Sequence, residues 1–434
     1  MNATTVERVK EAPAAAQASF KGTRSIKRLA SSAEATKLNR AYLERMWGEI
    51  AEGASFVFGY GPMELFNAMD LYLVLPVQYG SVMAAKQQFA HYQGVIEDQG
   101  YFRSLASYES LPLGYCFDRD PERAPYGGLP KPSAVVGGYM TDPAIYELYA
   151  RELGSPLFLM EDPHQQEQIP SRWWEEEFRD PGIIDFSVTE FKRCVRFLES
   201  VTGKTYSDTT MRDYLARADE MCRLYDEITS LAYESPGPAP YTATDAYSEV
   251  SVFETHFGHE WALEHVQKLH REVTERVRDG AAAVPNEQTR ILWAGTPLWF
   301  NLGFYNAWEE SHGAIFVETM YLPRAKRLIQ QDTSDPLRAT FLRRHMKYTG
   351  PSPRAAAELM LHQVRQYRLD AVILPSRGAT RDALATSHHV AAALRQAGVP
   401  ALLVDYSPFG ATQEKQEEMH RTVTQFIESV QGAA

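Results

Sequence analysis

The sequence predicts an α/β protein: two doubly wound parallel-sheet domains that face a cleft and are joined by a helical middle region. Three observations predict it. Short apolar runs bounded by Gly, Pro or Asp alternate with helix-period segments in both the N-terminal and the C-terminal part of the chain, the pattern of βαβ units with strands buried on both faces. Between them, residues 188–279 keep helical periodicity with one Pro/Gly break at SPGPAPYT. Finally, SAVVGGYMTDPAIYELYARELGSPLFLMED and DAVILPSRGATRDALATSHHVAAALRQAGVPALLVDY read alike, each as strand, turn, helix, Gly, Pro, strand. A chain of 434 residues also exceeds what one ordinary core accommodates.

The elements follow in order. A helix pattern over residues 37–50 leads to a short strand at 56–58 and the turn Gly59-Tyr60-Gly61-Pro62, with Pro62 suited to the first turn of the next helix. A strand over 72–77 (YLVLPV), a long helix over 80–97 and a Gly/Pro-rich connector come next, then the first repeated unit. After the helical middle, TRILWAG reads as a strand, PLWFNLGFYNAWEESHG as a helix and AIFVETMY as a strand. A helix over 353–367, the second repeated unit and an amphipathic helix over 412–430 complete the chain. This gives a flexible N-terminal segment at 1–35, a first Rossmann-like domain at 36–187, a helical region at 188–285 and a second Rossmann-like domain at 286–434.

Composition narrows the function. Apolar content of 44% and charged content of 23% are those of a soluble globular protein. The net charge of -12 argues against nucleic acid as a partner, because phosphate backbones call for a basic surface. No run approaches ~18 consecutive apolar residues, so no membrane span is expected. The Ala/Ser/Lys/Arg-rich opening has the flavour of a transit peptide, but Glu7 and Glu11 are out of character for one. Cys116, Cys194 and Cys222 are far apart and form no CxxC pair, which leaves neither a disulfide framework nor a zinc motif and points to a reducing, cytoplasmic compartment.

In open parallel sheets ligands bind at the carboxyl ends of the strands. Here those ends fall at 59–62, 137–141, 161–164, 295–297, 318–321, 376–380 and 405–407. If the domains face each other, these turns converge on one cleft.

The order and spacing of several segments resemble the 2-hydroxyacyl-CoA dehydratase family, which includes the paired subunits of benzoyl-CoA reductase and 2-hydroxyglutaryl-CoA dehydratase. The segments are GYGPMELFNAMDLYLVLPV, the stretch FLESVTGKTYSDTTMRDYLARADEMCRLYDEI with Leu198, Glu199, Thr202, Gly203 and Lys204, TRILWAGTPLW, HGAIFVETMY, and DAVILPSRGATRD followed by GVPALLVDY. The resemblance runs from Phe56 to the C-terminus. It implies an acyl-CoA or carrier-protein thioester as ligand, and a homo- or hetero-oligomer with a related subunit. It also implies a [4Fe–4S] cluster held by three cysteines, whose register falls near Ala106, at Tyr139 and at Ala379 or Thr380. None of these is a cysteine. One thiolate can be replaced by oxygen or imidazole, but three missing thiolates leave iron without its soft donors. The expectation is therefore that this chain binds no cluster, and that a [4Fe–4S] cluster, if used, sits on the partner subunit. A stand-alone non-redox enzyme performing elimination, addition or acyl transfer stays open, as does a structural or regulatory subunit.

Site candidates follow from the strand ends. Glu64, Tyr139 and His164 are the catalytic candidates: Glu64 in the first turn of its helix, where capping alone also explains a carboxylate, and His164 beside Glu161 and Asp162. Tyr60, Tyr108 and Tyr139 would project into the space a cluster fills in the family. Ser107, Gly138, Gly295, Thr296 and Glu318 join them as substrate contacts. Arg377, Thr380 and Arg381 surround the last turn, where a phosphate or carboxylate would meet a helix N-terminus. His256, Glu260 and Glu264 are spaced for one helix face, with His259 and His265 near, but a solvated face explains them and no metal is expected. One of His388 and His389 is placed to face the sheet, and Trp173-Trp174 to pack between domains or subunits. Gly59-Tyr60-Gly61 is not a dinucleotide fingerprint, since Pro62-Met63 replaces the small residues required.

Overall fold

The computed structural model describes residues 23–102, 105, 107–138, 141–161, 180–234, 236–318, 332–347, 353–376, 381–405 and 412–433, with backbone alone at 344–347 and 381–386. Its frame is a pair of parallel four-stranded sheets. The first contains β1 (Phe56–Gly59), β2 (Tyr72–Val74), β3 (Ala134–Gly137) and β4 (Leu157–Leu159); the second contains β5 (Thr289–Trp293), β6 (Ala314–Val317), β7 (Ala371–Ser376) and β8 (Ala401–Asp405). The spatial orders are β2-β1-β3-β4 and β6-β5-β7-β8, the same order in both, and every strand pair is parallel. The two Rossmann-like sheets expected from the repeated pattern are thus present.

Alternate residues of each strand feed opposite cores, as the pleat dictates. In the first sheet Phe56, Phe58 and Val135 face a core shared with α1 (Ala30–Ala51), α3 (Pro76–Ala85), α4 (Phe89–Asp98), α5 (Pro112–Asp118) and α6 (Pro143–Leu153). Val57, Ala134 and Val136 face α2 (Met63–Ala68), α7 (Pro181–Thr202), α8 (Asp208–Thr229) and α12 (Pro336–Lys347). In the second sheet Leu292, Ile315, Val317, Val372 and Leu374 meet α9 (Ala243–Thr255), α10 (Glu260–Arg278), α13 (Pro353–Gln366) and α14 (Arg381–Gln396). Ile291, Trp293, Phe316 and Ile373 pack beneath α15 (Gln413–Ala433) and a 3-10 turn, Leu302–Asn306. Helix α12 follows β6 in sequence, yet its Leu337, Ala339, Phe341 and Leu342 are buried in the core of the first sheet.

Several elements differ from expectation. The strand over 72–77 stops at Val74, because Pro76 takes the first position of α3. The single helix over 80–97 is two helices, interrupted where Gln87 adopts φ 60 and Gln88 N bonds Met83 O at 2.9 Å; the apolar period passes through such a turn unbroken. The helix expected after β5 is replaced by the 3-10 turn Leu302–Asn306 and the four-residue α11 (Glu309–His312). The middle region breaks twice more than expected, at Gly203, which caps α7 with φ 69, and at 256–259. Within the N-terminal segment, residues 23–29 run without regular structure along the second half, and α1 begins at Ala30. No described helix is long and apolar enough to cross a membrane.

Candidate functional site

A strand order of 2-1-3-4 reverses direction between the first and third strands, and the crevice at such a switch point is where doubly wound sheets hold ligands. Each sheet has one. Past β1, Tyr60 N donates to Val136 O at 2.8 Å; past β5, Ala294 N donates to Ile373 O at 2.8 Å. Tyr60 and Ala294 therefore occupy equivalent places, as do Gly61 and Gly295. The crevice walls differ. On the first sheet Gly59 lies so close to β3 that a Cβ would stand 2.0 Å from Val136 O, and Gly138 turns out of β3 with φ 91 while its N–H bonds Thr141 Oγ1 at 3.0 Å. On the second, Gly295 lies against the ring of Pro375, and Trp293 Nε1 donates to Thr296 O at 3.2 Å. Tyr60, Gly138, Gly295 and Thr296, named from sequence, are half-buried residues at these two crevices.

Glu64 is 3% exposed and turned toward α8 and α12. Its Oε1 lies 3.7 Å from Arg343 Nη1, while its Oε2 is buried with no hydrogen-bond partner. Arg343, on α12, also binds the carboxylate of Asp219 and donates to Leu215 O at 3.3 Å, and it stacks 5.3 Å above the Phe257 ring. Glu64 is thus held by an ion network that reaches it from beyond β6, rather than by a cap at its own helix, where Pro62 offers no side-chain bond. Glu318 ends β6 at 2% exposure, beside Tyr233 and Tyr241. Burial, then Tyr241 and the Glu318 carboxylate, push the Tyr233 phenol far up. Ser376, at the end of β7, has a buried hydroxyl without a partner among the described residues; it opens the strand end 376–380 read from the sequence, though it was not itself chosen as a site residue.

Other sequence candidates are engaged elsewhere or lie outside the described residues. Ser107 is engaged locally, its N–H bonded to Ser110 Oγ at 2.9 Å and its Oγ 3.0 Å from the same atom. Tyr108 is buried with its carbonyl pressed on Gly80 of α3. Tyr139, His164, Arg377 and Thr380 lie outside the described residues, as do Trp173 and Trp174, and of Arg381 only the backbone, the first residue of α14, is described. His388 and His389 are both exposed, so neither faces the sheet as expected. His256 and Glu260 do not share a helix: His256 caps the end of α9 and Glu260 opens α10 after a turn at Gly258 with φ 83. His256 instead bonds Asn39 Oδ1 of α1 at 2.8 Å, and His265 is buried against Glu249, 2.9 Å away. Burial opposes the His265 cation, but the Glu249 carboxylate holds its pKa above the ordinary value. Among the described residues no three His, Cys, Asp or Glu side chains are grouped to hold a metal ion.

The three cysteines bear on the iron–sulfur question. Cys116 in α5, Cys194 in α7 and Cys222 in α8 are all buried and outside any disulfide, each in a different hydrophobic core. Burial pushes the Cys116 thiol up to about 12 and the Cys194 thiol also upward. A cubane needs convergent thiolates; thiols scattered through three apolar cores do not fit that donor set.

Comparison with known proteins agrees with the resemblance. A sequence profile of the 2-hydroxyglutaryl-CoA dehydratase D-component matches residues 59–430. The chain is 23% identical over 247 residues to the (R)-2-hydroxyisocaproyl-CoA dehydratase alpha subunit of Clostridioides difficile, covering 56% of this chain and 57% of that protein. It is 21% identical over 242 residues to the (R)-phenyllactyl-CoA dehydratase alpha subunit of Clostridium sporogenes, covering 55% and 56%. It is 23% identical over 155 residues to the (R)-2-hydroxyglutaryl-CoA dehydratase alpha subunit of Acidaminococcus fermentans, covering 36% and 30%. The chain thus spans little more than half the length of the first two relatives. With the profile running from the end of β1 into the last helix, and two sheets of matching order behind it, the chain belongs to the 2-hydroxyglutaryl-CoA dehydratase D-component family.

Proposed function

We propose that this chain is a subunit of a 2-hydroxyacyl-CoA dehydratase-type or benzoyl-CoA reductase-type enzyme that holds an acyl thioester, or a related small acid, between its two sheets and binds no iron–sulfur cluster itself. The observation that carries the reading is the placement of Cys116, Cys194 and Cys222 in three separate cores. The names of the relatives, alpha subunits of acyl-CoA dehydratases, support a partner subunit and a thioester ligand. In this reading the partner carries the cluster and supplies the electron chemistry, in a cytoplasmic setting. This chain binds and orients the substrate, with Tyr60, Gly138, Gly295, Thr296 and Glu318 at the crevices and Arg377, Thr380 and Arg381 near the last turn meeting the acyl or phosphate oxygens. Glu64, Tyr139 and His164 are its candidates for holding or moving a proton, and Ser376 adds a hydroxyl that has no partner among the described residues.

Anaerobic purification of the chain alone and with its co-expressed partner tests this. The chain alone should lack iron and acid-labile sulfide, the complex should contain both, and acyl-CoA esters should raise the melting temperature of the complex more than free acids do. Stoichiometric iron on the isolated chain would overturn the reading. Absence of any stable partner, together with acyl-CoA binding by the chain alone, would instead favour a stand-alone acid/base enzyme using Glu64 or Ser376, two buried groups whose oxygens lack a partner among the described residues.

A further inference from the structure

Residues 23–29 lie as an extended strap whose backbone is received by side chains more than 200 positions away. Asn301 Oδ1 accepts from Thr23 N at 2.9 Å and from Thr23 Oγ1 at 3.0 Å, and Asn306 Oδ1 accepts from Ile26 N at 2.9 Å. Thr244 Oγ1 donates to Ile26 O at 2.7 Å, and Asp245 Oδ1 accepts from Arg28 N at 2.8 Å and Leu29 N at 3.0 Å. Gly303 carries no side chain where the strap crosses: a Cβ there would stand 2.4 Å from Thr23 O. Charge matches along the groove, because Arg28 pairs with Glu309 at 2.5 Å and Lys27 lies near Asp245 and Glu249.

The strap continues into α1, and α1 has no N-cap of its own. Glu272 of α10 supplies one, accepting from Ala30 N at 2.7 Å and from Ser31 N at 2.9 Å. A carboxylate at that position also complements the helix dipole. The helix then spans the molecule. Leu29 and Ala35 are buried in the core of the second sheet and the middle helices, whereas Met46, Trp47 and Ile50, near the other end, are buried in the core of the first sheet.

We propose that residues 23–51 form a clasp: a basic strap seated in an acidic groove on the second half, joined to a helix anchored in the first, which fixes the separation and angle of the two sheet-bearing halves. The helix cannot tilt without dragging the strap from its acceptors. Glu272 is therefore a positioning residue for the whole arrangement although it touches neither crevice.

The test uses the full chain and the variant Glu272→Gln, with Arg28→Ala as a milder second variant in case the first folds poorly. Loss of a cap should speed amide exchange over residues 28–36 about tenfold, and tryptic cleavage at Lys27 and Arg28 should accelerate with it. Spin labels at exposed Lys192 in α7 and exposed Glu418 in α15 should give a narrow distance distribution in the parent and a broader one in either variant, with far-ultraviolet circular dichroism retained. Faster exchange with an unchanged distance distribution would overturn the clasp, leaving the strap a local anchor. Unchanged exchange in both variants would also overturn it.

Discussion

The two sheets share a strand order and an equivalent hydrogen bond beyond their first strands, yet their crevices are built from opposite materials. The first is formed by bare backbone at Gly59, Gly61, Gly137 and Gly138; the second is walled by Trp293, Pro375 and Ser376. The connections differ as well. The helices α3, α4 and α5 of the link from β2 to β3 pack within their own half, whereas the equivalent link from β6 to β7 sends α12 across to the first half, carrying Arg343 to Glu64. The lesson is that one topology can be duplicated while its ends diverge, because strand order depends on buried apolar runs and crevice chemistry depends on the few residues just beyond them.

This comparison can be broken at defined points. Removing Arg343 should have the largest effect: Arg343→Ala leaves Asp219 and buried Glu64 without their cation, and loss of one member of a buried ion network costs about 3–5 kcal/mol. Chemical denaturation of the variant against the parent measures it, and a loss below 1 kcal/mol would show that the crossing helix is held by its apolar side chains alone. Next come the crevice glycines. Gly59→Ala drives a methyl into the Val136 carbonyl at 2.0 Å, and Gly295→Ala meets the edge of the Pro375 ring at 2.4 Å. A backbone oxygen paired in a ladder cannot yield, so the first should cost about 3 kcal/mol and the second about 1 kcal/mol. Equal losses would mean that the two crevices are more alike than their walls suggest.

A smaller effect is expected from pH. Burial, then Arg217 and Arg45, hold the His259 pKa down to about 4 from its ordinary 6.5, and burial holds His256 well below that value too. Both are neutral in the fold, where their turn packs on Tyr42 of α1. The unfolded chain takes up more protons below pH 6.5, so this contribution to stability is present above 6.5 and is lost as pH falls toward 4. His265, with its raised pKa, acts with the opposite sign and loses its contribution as pH rises. Melting temperatures between pH 7 and pH 4 should therefore fall less steeply in His259→Gln than in the parent. The smallest change in stability belongs to Ser376→Ala, within about 0.5 kcal/mol, because its hydroxyl has no bond to lose among the described residues. The same variant should reduce the thermal shift given by an acyl-CoA, and an unchanged shift would remove Ser376 from the binding surface.

Much of the fold was legible in the sequence, and the reasons for the exceptions are physical. Apolar runs such as AVILPS and AIFVE are too short for buried helices and are flanked by turn residues, so they read as strands buried on both faces and both sheets could be read. The break at Gln87 and the 3-10 turn after β5 could not, because the first preserves the apolar period and the second is set by Asn301 and Asn306 receiving the strap. Of the candidate residues, Tyr60, Gly138, Gly295, Thr296 and Glu318 lie just beyond strands, where their sequence context placed them. The burial of Arg343 and of Ser376, the latter at a strand end the sequence did mark, was not legible, since a charge on an amphipathic helix and a serine closing an apolar run carry no local sign of burial. The middle histidines were misplaced on one helix because their spacing alone does not reveal the turn at Gly258.

By itself the sequence determined the parallel sheets, whose side chains must be covered on both faces, and the absence of cysteine at the strand ends, which no folding can supply. Only the tertiary structure decided that both sheets share one strand order, that Arg343 reaches Glu64, that three thiols are dispersed among three cores, and that Glu272 caps a helix 241 residues earlier in the chain. Periodicity records which face of an element is buried; it holds no information about which distant donor or acceptor will be waiting there.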